Sequence, residues 1–278
     1  MDQQRRVRKA KNPDDPRADD HTPEELAIME RFNNPGWDEE ETDHLVPMLP
    51  VAQLYARDVL LPHPPGGSKA DLLQVLWCPF DHPEQEQWMP RTAVFWRSTA
   101  DVTEILTSPP EPYAAEELYV PVPCVLAPEQ VIEYPTPPDL SKELQEQLKD
   151  RSRWQAAGAR IDAGFAPHLD SYYAGDLSVA PGWKTGGHPR WGYVDPWPRP
   201  CLSCGTDMDP LLTIASVEWD GGGQSWIPYE DETAAASPRN HVRDLARRPT
   251  AIQIADLHDQ QIYYCPMDPG HPHRELMQ

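Results

Sequence analysis

The sequence lacks any hydrophobic run that approaches the roughly 20 apolar residues of a membrane-spanning helix. Its first residues are basic, but no apolar stretch follows them as it would in a secretory signal peptide. Cysteine is scarce as well, and the odd count of 5 does not favour a framework of disulfides. These absences predict a cytoplasmic protein whose thiols are reduced.

Basic residues are few, with 24 Lys and Arg against 45 Asp and Glu, which gives a net charge of -21. Residues 1–11 carry +4, so residues 12–278 carry -25. A body this acidic repels nucleic-acid phosphates and attracts basic partners. The composition therefore predicts a basic protein or peptide as partner and no direct nucleic-acid binding by the acidic body. The alternative is an acidic surface that only confers solubility.

Proline is abundant, and its 34 copies predict short helices and many loops because proline interrupts helices and central strands. Residues 1–44 are predicted to be a flexible appendage. Within it, a capping box at Thr22 predicts a short helix from Pro23 to about Phe32. One longer helix is predicted over residues 141–157, with Ser141 as its N-cap, because this stretch contains neither proline nor glycine.

The remainder, residues 45–278, is predicted to be an α+β domain built mainly from short antiparallel strands. The predicted strands are Val51–Ala56, Leu72–Trp77, Thr92–Arg97, Leu211–Trp219, Gln224–Tyr229, Thr250–Ala255 and Gln260–Tyr264.

An internal repeat is predicted from two pairs of similar segments. Leu72-Leu73-Gln74-Val75 is similar to Leu211-Leu212-Thr213-Ile214, and Trp77-Cys78-Pro79-Phe80-Asp81-His82 is similar to Tyr264-Cys265-Pro266-Met267-Asp268 with His271 beyond. Two halves, about 46–138 and 160–273, would be joined by the helix at 141–157. Each half is too small to bury both faces of its sheet alone, so the two are expected to pack into one body.

Three cysteines and a histidine near the end of the sequence predict a metal site. Cys201 and Cys204 have the C-x-x-C spacing that turns two thiolates toward one ion, and Gly205 permits the tight turn. Cys265 and His271 would complete a structural Cys3His zinc site. Cys78, His82 and His258 are rival fourth ligands. The alternative is a pair of buried free thiols with no metal.

Several of these motifs together resemble the YwqG-like family of bacterial proteins. The matching pieces are Gly186-Gly187-His188-Pro189-x-Trp191, Cys201-x-x-Cys204-Gly205, Met208-x-x-Leu211-Leu212 and Tyr263-Tyr264-Cys265-Pro266. The family tends to have a Gly-Asp-x-Gly turn before its last strand, where this chain has Ala255-Asp256-Leu257-His258. That family is related to the eukaryotic ribosome-assembly chaperones of the programmed-cell-death-protein-two group.

The resemblance implies a duplicated α+β fold rich in antiparallel strands, and it implies no established enzyme activity. Related proteins act through protein contacts, as chaperones of a basic ribosomal protein or as immunity factors in toxin systems. For this chain, the resemblance therefore implies a chaperone, adaptor or immunity-type binding protein.

Two groupings of residues would support an enzyme instead. Glu218 and Asp220 flank Trp219, so on a strand they would point to the same side as paired carboxylates. Their alternative is a solvated strand face. Cys78, Asp81 and His82 contain a thiol, a carboxylate and a base, but a buried core cysteine is the better interpretation. A hydrolytic or RNA-processing enzyme using carboxylates is therefore the second functional hypothesis, and a metal-stabilised scaffold without a specific partner is the third.

The loop before the C-x-x-C turn is rich in tryptophan and supplies the predicted partner-binding residues Trp183, His188, Trp191 and Trp197. Tryptophan rings bind protein partners or fill cores, and His188 would bind a partner or hydrogen-bond its own loop. No catalytic residue is predicted, and the leading hypothesis is a non-enzymatic protein that binds a basic polypeptide.

Overall fold

The computed structural model describes residues 46–278, apart from residues 68, 85–86, 109–111, 113, 160, 162–167, 193–194, 221–222 and 224. The predicted appendage and its helix from Pro23 to Phe32 lie outside the described residues. Pro47–Gln278 forms one compact unit.

The first sheet contains three antiparallel strands in the order β1-β2-β3: β1 (Leu49–Tyr55), β2 (Leu72–Glu84) and β3 (Gln87–Arg97). Strand β2 is longer than predicted because it continues past Trp77 through a shift of register before Asp81. Pro79 lies in this interruption. Proline donates no ladder hydrogen bond, so a bulge is where a strand tolerates it.

The second sheet contains four antiparallel strands in the order β4-β5-β6-β7: β4 (Lys184–Thr185), β5 (Asp209–Ala215), β6 (Asp259–Tyr264) and β7 (Arg274–Met277). All the residues of β5 from Leu211 to Ala215 are buried, as are those of β6 from Asp259 to Tyr263. These two strands form the buried centre of the sheet, flanked by β4 and β7.

Both sheets contribute to one hydrophobic core. Leu73, Val75 and Trp77 of β2 pack in the same cluster as Ile214 of β5 and Ile262 of β6, and all five side chains are fully buried. The Trp77 indole N–H donates to the Tyr119 carbonyl at 3.0 Å, which satisfies the one polar atom that this side chain buries. The α+β class with two antiparallel sheets and short helices is confirmed.

Polar contacts also join the two sheets. The backbone N–H and hydroxyl of Thr92 in β3 both donate to the Glu275 carboxylate in β7, and the Gln260 amide donates to the Pro90 carbonyl at 2.6 Å. His273 lies 3.0 Å from the Thr92 hydroxyl. Burial acts to raise the pKa of Glu275, but the hydrogen bonds from His273 and Thr92 outweigh it and lower that pKa.

The prediction of one helix over residues 141–157 was wrong, because the structure has two helices there: α1 (Lys142–Leu148) and α2 (Arg151–Ala156). Ser141 is the N-cap of α1, as predicted, and accepts from the Leu144 N–H. Asp150 ends the run because its carboxylate accepts from the Ser152 N–H at 2.9 Å, which caps a new helix instead of continuing the old one.

The remaining helices are short: α3 (Leu169–Tyr172), which continues as a π-helical turn over Tyr173–Ser178, α4 (Glu232–Ala235) and α5 (Asn240–Arg247). Among the described residues, no helix is long and apolar enough to cross a membrane.

Two predicted strands are also absent from the described residues. Thr250–Ala255 is irregular, with positive φ at Ala251 and Ala255, and only Ile254 forms an isolated bridge, to His258. Of the segment predicted as Gln224–Tyr229, residues 225–227 form a turn and a bend, and Tyr229 begins a 3-10 helix.

The strand predicted over Leu211–Trp219 ends at Ala215. The predicted repeat remains a prediction. β2 and β5 are each paired with the strand before and the strand after. The two Cys-Pro segments differ in position, because Cys78-Pro79 lies within β2 and Cys265-Pro266 follows β6.

Candidate metal centre

The first part of the centre is a tight hairpin that leads into β5. Its arms are joined by a bridge between Pro200 and Asp207 and by a hydrogen bond from the Cys201 N–H to the Thr206 carbonyl at 2.8 Å. The Gly205 N–H donates back to the Cys201 carbonyl, and Gly205 has a φ of 75°. Only glycine adopts that conformation readily, so the residue after the second cysteine closes the turn.

The second part lies between β6 and β7. Cys265 directly follows β6. The Asp268 side chain accepts from the Gly270 N–H at 2.8 Å, and its carbonyl accepts from the His271 N–H at 3.0 Å. This compact turn brings His271 back toward Cys265 before β7 begins.

Antiparallel pairing explains how residues roughly 60 positions apart in sequence meet. Asp209 at the start of β5 pairs with Tyr264 at the end of β6, and Tyr263 pairs with Arg274 at the start of β7. The hairpin before β5 and the turn after β6 therefore lie at the same end of the sheet. The sequence spacing alone did not show whether the four residues lie close together, and the pairing of the strands shows that they do.

The ligand atoms of Cys201, Cys204, Cys265 and His271 all lie within 4.8 Å of one another. The Cys204 and Cys265 sulfurs are 3.5 Å apart, and His271 Nδ1 is 3.4 Å from the Cys201 sulfur. Sulfurs that share a tetrahedral zinc at about 2.3 Å would be a little under 4 Å apart. The predicted residues thus form a Cys3His group that could hold a metal ion.

The thiols of this group differ in environment. Hydrogen bonds from the Thr206 hydroxyl and N–H, and then from Cys265, lower the pKa of the exposed Cys204 to about 6. Burial raises the pKa of Cys265, although the N–H groups of Asp268 and Met267 act against the increase. A thiolate is the form that ligates a metal, so the exposed cysteine is prepared for ligation before any ion binds.

Sequence reasoning missed Asp268 as part of the centre. His271 directs Nδ1 toward the sulfurs, while its Nε2 lies 4.0 Å from the Asp268 carboxylate. Metal-bound histidines commonly donate their second ring N–H to a carboxylate, which fixes the tautomer and orients the ring. The available signal was the placement of Asp268 three residues after Cys265 and three before His271.

The rival fourth ligands lie elsewhere. Within the part of the chain that the structure describes, the group that could hold a metal contains His271 and none of Cys78, His82 or His258. Cys78 and His82 lie in β2, and burial raises the pKa of the Cys78 thiol. His258 pairs with Ile254 before β6 begins, at the opposite end of that strand from Cys265.

A stack of side chains supports the centre and borders a groove. The Arg199 guanidinium lies over the rings of Trp191 and Tyr263, at 5.2 and 4.7 Å from their centroids. Tyr263 packs in a small buried cluster with Cys201 and Cys265, and burial raises its pKa to about 12. The stack therefore connects the metal group to the tryptophan-rich loop.

The groove has a volume of about 480 Å³ and runs along this stack. Trp191 and Trp197 line it together with Arg199, Asp139 and Asp207. The Trp191 indole donates to Asp139 at 2.8 Å, whereas Trp197 is 57% exposed. Of the predicted partner-binding residues, these two tryptophans line the groove.

The other two have mainly internal contacts. Trp183 packs against the main core and donates its indole N–H to the Ala215 carbonyl at 2.9 Å. The His188 N–H donates to Glu133, a buried carboxylate that also accepts from Lys184 at 2.7 Å. A side chain at Gly187 would collide with that carboxylate. The Gly-Gly-His-Pro motif thus packs against the carboxylate of Glu133 and hydrogen-bonds to it. Sequence reasoning did not single out Glu133.

The predicted pair of carboxylates is not on a strand, because β5 ends at Ala215. Glu218 accepts from the Trp183 N–H at 3.3 Å and lies against Gly182, while Asp220 pairs with Arg190. Burial raises the pKa of Glu218. The alternation that would have pointed both carboxylates to one side is therefore missing, and each has a different partner.

Comparisons of the chain with protein-family models, with curated proteins and with solved structures found no match. The resemblance to the YwqG-like family therefore remains a prediction from the motifs.

Proposed function

We propose that this protein is a non-enzymatic binding protein that binds a basic polypeptide. A structural zinc ion would hold together the end of the second sheet where β5 begins and β6 ends. The observation that carries this proposal is the groove beside the Cys3His group, where the exposed Trp197 lies among the carboxylates Asp139 and Asp207. Indole faces and carboxylates together bind lysine and arginine side chains.

Zinc is the ion that suits the donor set. Three thiolates and an imidazole are soft and borderline ligands, which zinc binds in closed tetrahedral structural sites. Four protein ligands leave no coordination position for a substrate, so the zinc would hold the hairpin and the turn together instead of acting on a bound molecule. Elemental analysis of purified protein should give one zinc per chain.

The charge of the protein supports a basic partner. The net charge of -21 would speed the approach of a cationic chain, and this contribution weakens with salt because screening acts within about 8 Å at physiological ionic strength. Aromatic contacts would then slow dissociation. The separate partners of Glu218 and Asp220 lend no support to an enzyme that uses them as a pair.

Fluorescence anisotropy with a labelled peptide of twelve alternating Arg and Ser residues tests the proposal. We expect binding that weakens with added salt and that Trp197→Ala weakens about tenfold, mainly through faster dissociation. Trp88→Ala is the matched control, because Trp88 is exposed to a similar extent, 60% against 57%, but lies on β3. An affinity that is unchanged by salt and by Trp197→Ala would contradict the proposal.

A further inference from the structure

The most exposed apolar stretch of the described chain lies in a connector between the two sheets. Of the 21 large hydrophobic side chains that are exposed among the described residues, 8 fall within residues 118–134, which we call the apolar strap. They are Leu118, Val120, Val122, Val125, Leu126, Val131, Ile132 and Tyr134. Contiguous exposed apolar surface on a soluble protein marks an interaction site more often than scattered single residues do.

Hydrogen bonds hold the strap at both ends and leave its middle uncovered. The Val122 N–H donates to the Thr250 carbonyl at 2.8 Å, and the Tyr134 N–H donates to the Ser178 carbonyl at 2.9 Å. Between these two points, every residue from 123 to 132 is exposed, and Val125 is 99% exposed. Prolines at 121, 123 and 128 restrict the backbone, so less conformational entropy would be lost when a partner binds.

The charge around the strap selects the partner. Residues 98–141 contain no Lys, Arg or His and eight Asp or Glu residues. Glu133 is already paired with Lys184, and Asp139 accepts from the Trp191 indole. The exposed carboxylates that remain among the described residues are Asp101, Glu104, Glu116, Glu117 and Glu129. Two straps packed against each other would bring these carboxylates face to face, and their like charges would repel. An anionic membrane or a nucleic acid would be repelled in the same way.

We infer that the apolar strap docks a basic amphipathic segment of another protein, with the segment's apolar side chains on the strap and its lysines or arginines on the surrounding carboxylates. The inference rests on the proposed function and assigns it a second contact surface, separate from the groove at Trp197. The partner segment would therefore have one apolar face and one cationic face, which a merely cationic chain lacks.

The test uses two labelled probes of equal composition, each with seven Leu and seven Lys. In one probe the leucines recur at helical spacing, and in the other the same residues are scrambled. We expect the amphipathic probe to bind at least about tenfold more tightly to the full chain, because only it can present a continuous apolar face. Replacing every Lys by Glu in the amphipathic probe should abolish binding.

The double variant Val125→Ser/Ile132→Ser should reduce this preference for the amphipathic probe to about twofold or less. The matched control is Leu60→Ser/Leu245→Ser, which removes two apolar side chains exposed by 76% and 75% outside the strap. It should keep the full preference. Because all four side chains are exposed, both variants should unfold at the temperature of the parent protein, which a thermal melt checks.

The outcomes separate the two proposals. If the Arg-Ser peptide still binds through Trp197 but the strap variant keeps its full preference for the amphipathic probe, the strap inference is overturned and the proposed function stands. If no basic peptide binds, the proposed function fails.

Two other results would identify a different occupant of the strap. If the protein alone sediments as a dimer and the strap variant sediments as a monomer, the occupant is a second copy of the chain. Binding to vesicles rich in phosphatidylserine that the variant abolishes would identify a membrane. Either result would overturn the inference.

Discussion

The chain contains two Cys-Pro segments with an aspartate three residues after the cysteine, and their structures differ. Cys78-Pro79 lies in the interrupted middle of β2, where the strand continues afterwards. Cys265-Pro266 directly follows the end of β6, and the chain turns back through His271 into β7. The same local sequence thus forms part of a strand in the first sheet and a ligand-bearing turn in the second.

The difference teaches that the surroundings decide what each segment does. Asp81 accepts from the Tyr119 hydroxyl at 2.6 Å and so helps to hold the connector on the first sheet. Its counterpart Asp268 lies beside His271, in a turn that meets Cys201 and Cys204. The hairpin that carries Cys201 and Cys204 leads into β5, and β5 pairs with β6. The second segment therefore lies next to this hairpin, and the first segment does not.

The largest expected effect is on metal content. Cys201→Ser should abolish the stoichiometric zinc and lower the melting temperature by roughly 10 °C or more, since a structural zinc stabilises the fold that holds it. Elemental analysis and a thermal melt measure both effects. Cys78→Ser is the control and should keep its zinc. Equal zinc loss in both variants would show that the two segments share one site.

The second expected effect is on thiol reactivity in protein stripped of metal. At pH 7 the Cys204 thiol, with its pKa lowered to about 6, is mostly thiolate, while the pKa of Cys78 is raised by burial. Iodoacetamide should therefore alkylate Cys204 about a hundredfold faster than Cys78, as followed by peptide mass spectrometry. The rate at Cys204 should fall as the pH drops below 6, because the thiol becomes protonated, and zinc should protect it. Equal rates would refute the assigned environments.

A smaller effect is expected for the aspartates. Asp268→Asn should weaken zinc affinity about ten- to hundredfold, because it removes the carboxylate that lies 4.0 Å from His271 Nε2 and would orient the ring once a metal binds. Competition with a chromogenic chelator measures this affinity. Asp81→Asn is the matched substitution in the first segment and should leave zinc affinity unchanged. A normal affinity in Asp268→Asn would remove Asp268 from the centre.

The smallest effect is expected at the first segment itself. Tyr119→Phe removes the hydrogen bond to Asp81 and should cost about 1 kcal/mol of unfolding free energy in urea. Burial, followed by the contact with Asp81, raises the pKa of Tyr119, so the phenol remains a donor throughout the neutral range. The zinc content should not change. A loss of zinc in Tyr119→Phe would mean that the two segments are coupled.

Cys201 and Cys204 could be predicted because the chemistry of a C-x-x-C-Gly turn is local. Cys265 and His271 could be proposed only from their residue types, because tertiary structure brings them to the turn. The α+β class followed from proline content and short apolar runs. Asp268 and Glu133 could not be ranked above other carboxylates, since their roles depend on His271 Nε2 and on the N–H groups of a loop some 50 residues away in sequence.

The failures of prediction have tertiary causes. Thr250–Ala255 has the composition of a strand, but its Ile254 N–H donates to the Ser216 hydroxyl and its Gln253 N–H to the Leu118 carbonyl. These scattered partners replace a ladder. The break between α1 and α2 arises because Asp150 caps a new helix instead of continuing the first one. The prediction relied on the absence of proline and glycine, which does not distinguish these two roles of an aspartate.

The register of β5 and β6 has a consequence for the segment between them, residues 216–258, which contains α4 and α5. A metal held by Cys204 and Cys265 would close this excursion into a ring, in the manner of a reversible cross-link. The entropic cost of closing a ring grows only with the logarithm of the number of residues in it. Doubling the length of the ring would therefore cost about 0.6 kcal/mol. Residues can therefore be inserted or deleted at little cost to the centre in the part of the excursion that contains α4 and α5, where no residue from 231 to 249 is buried.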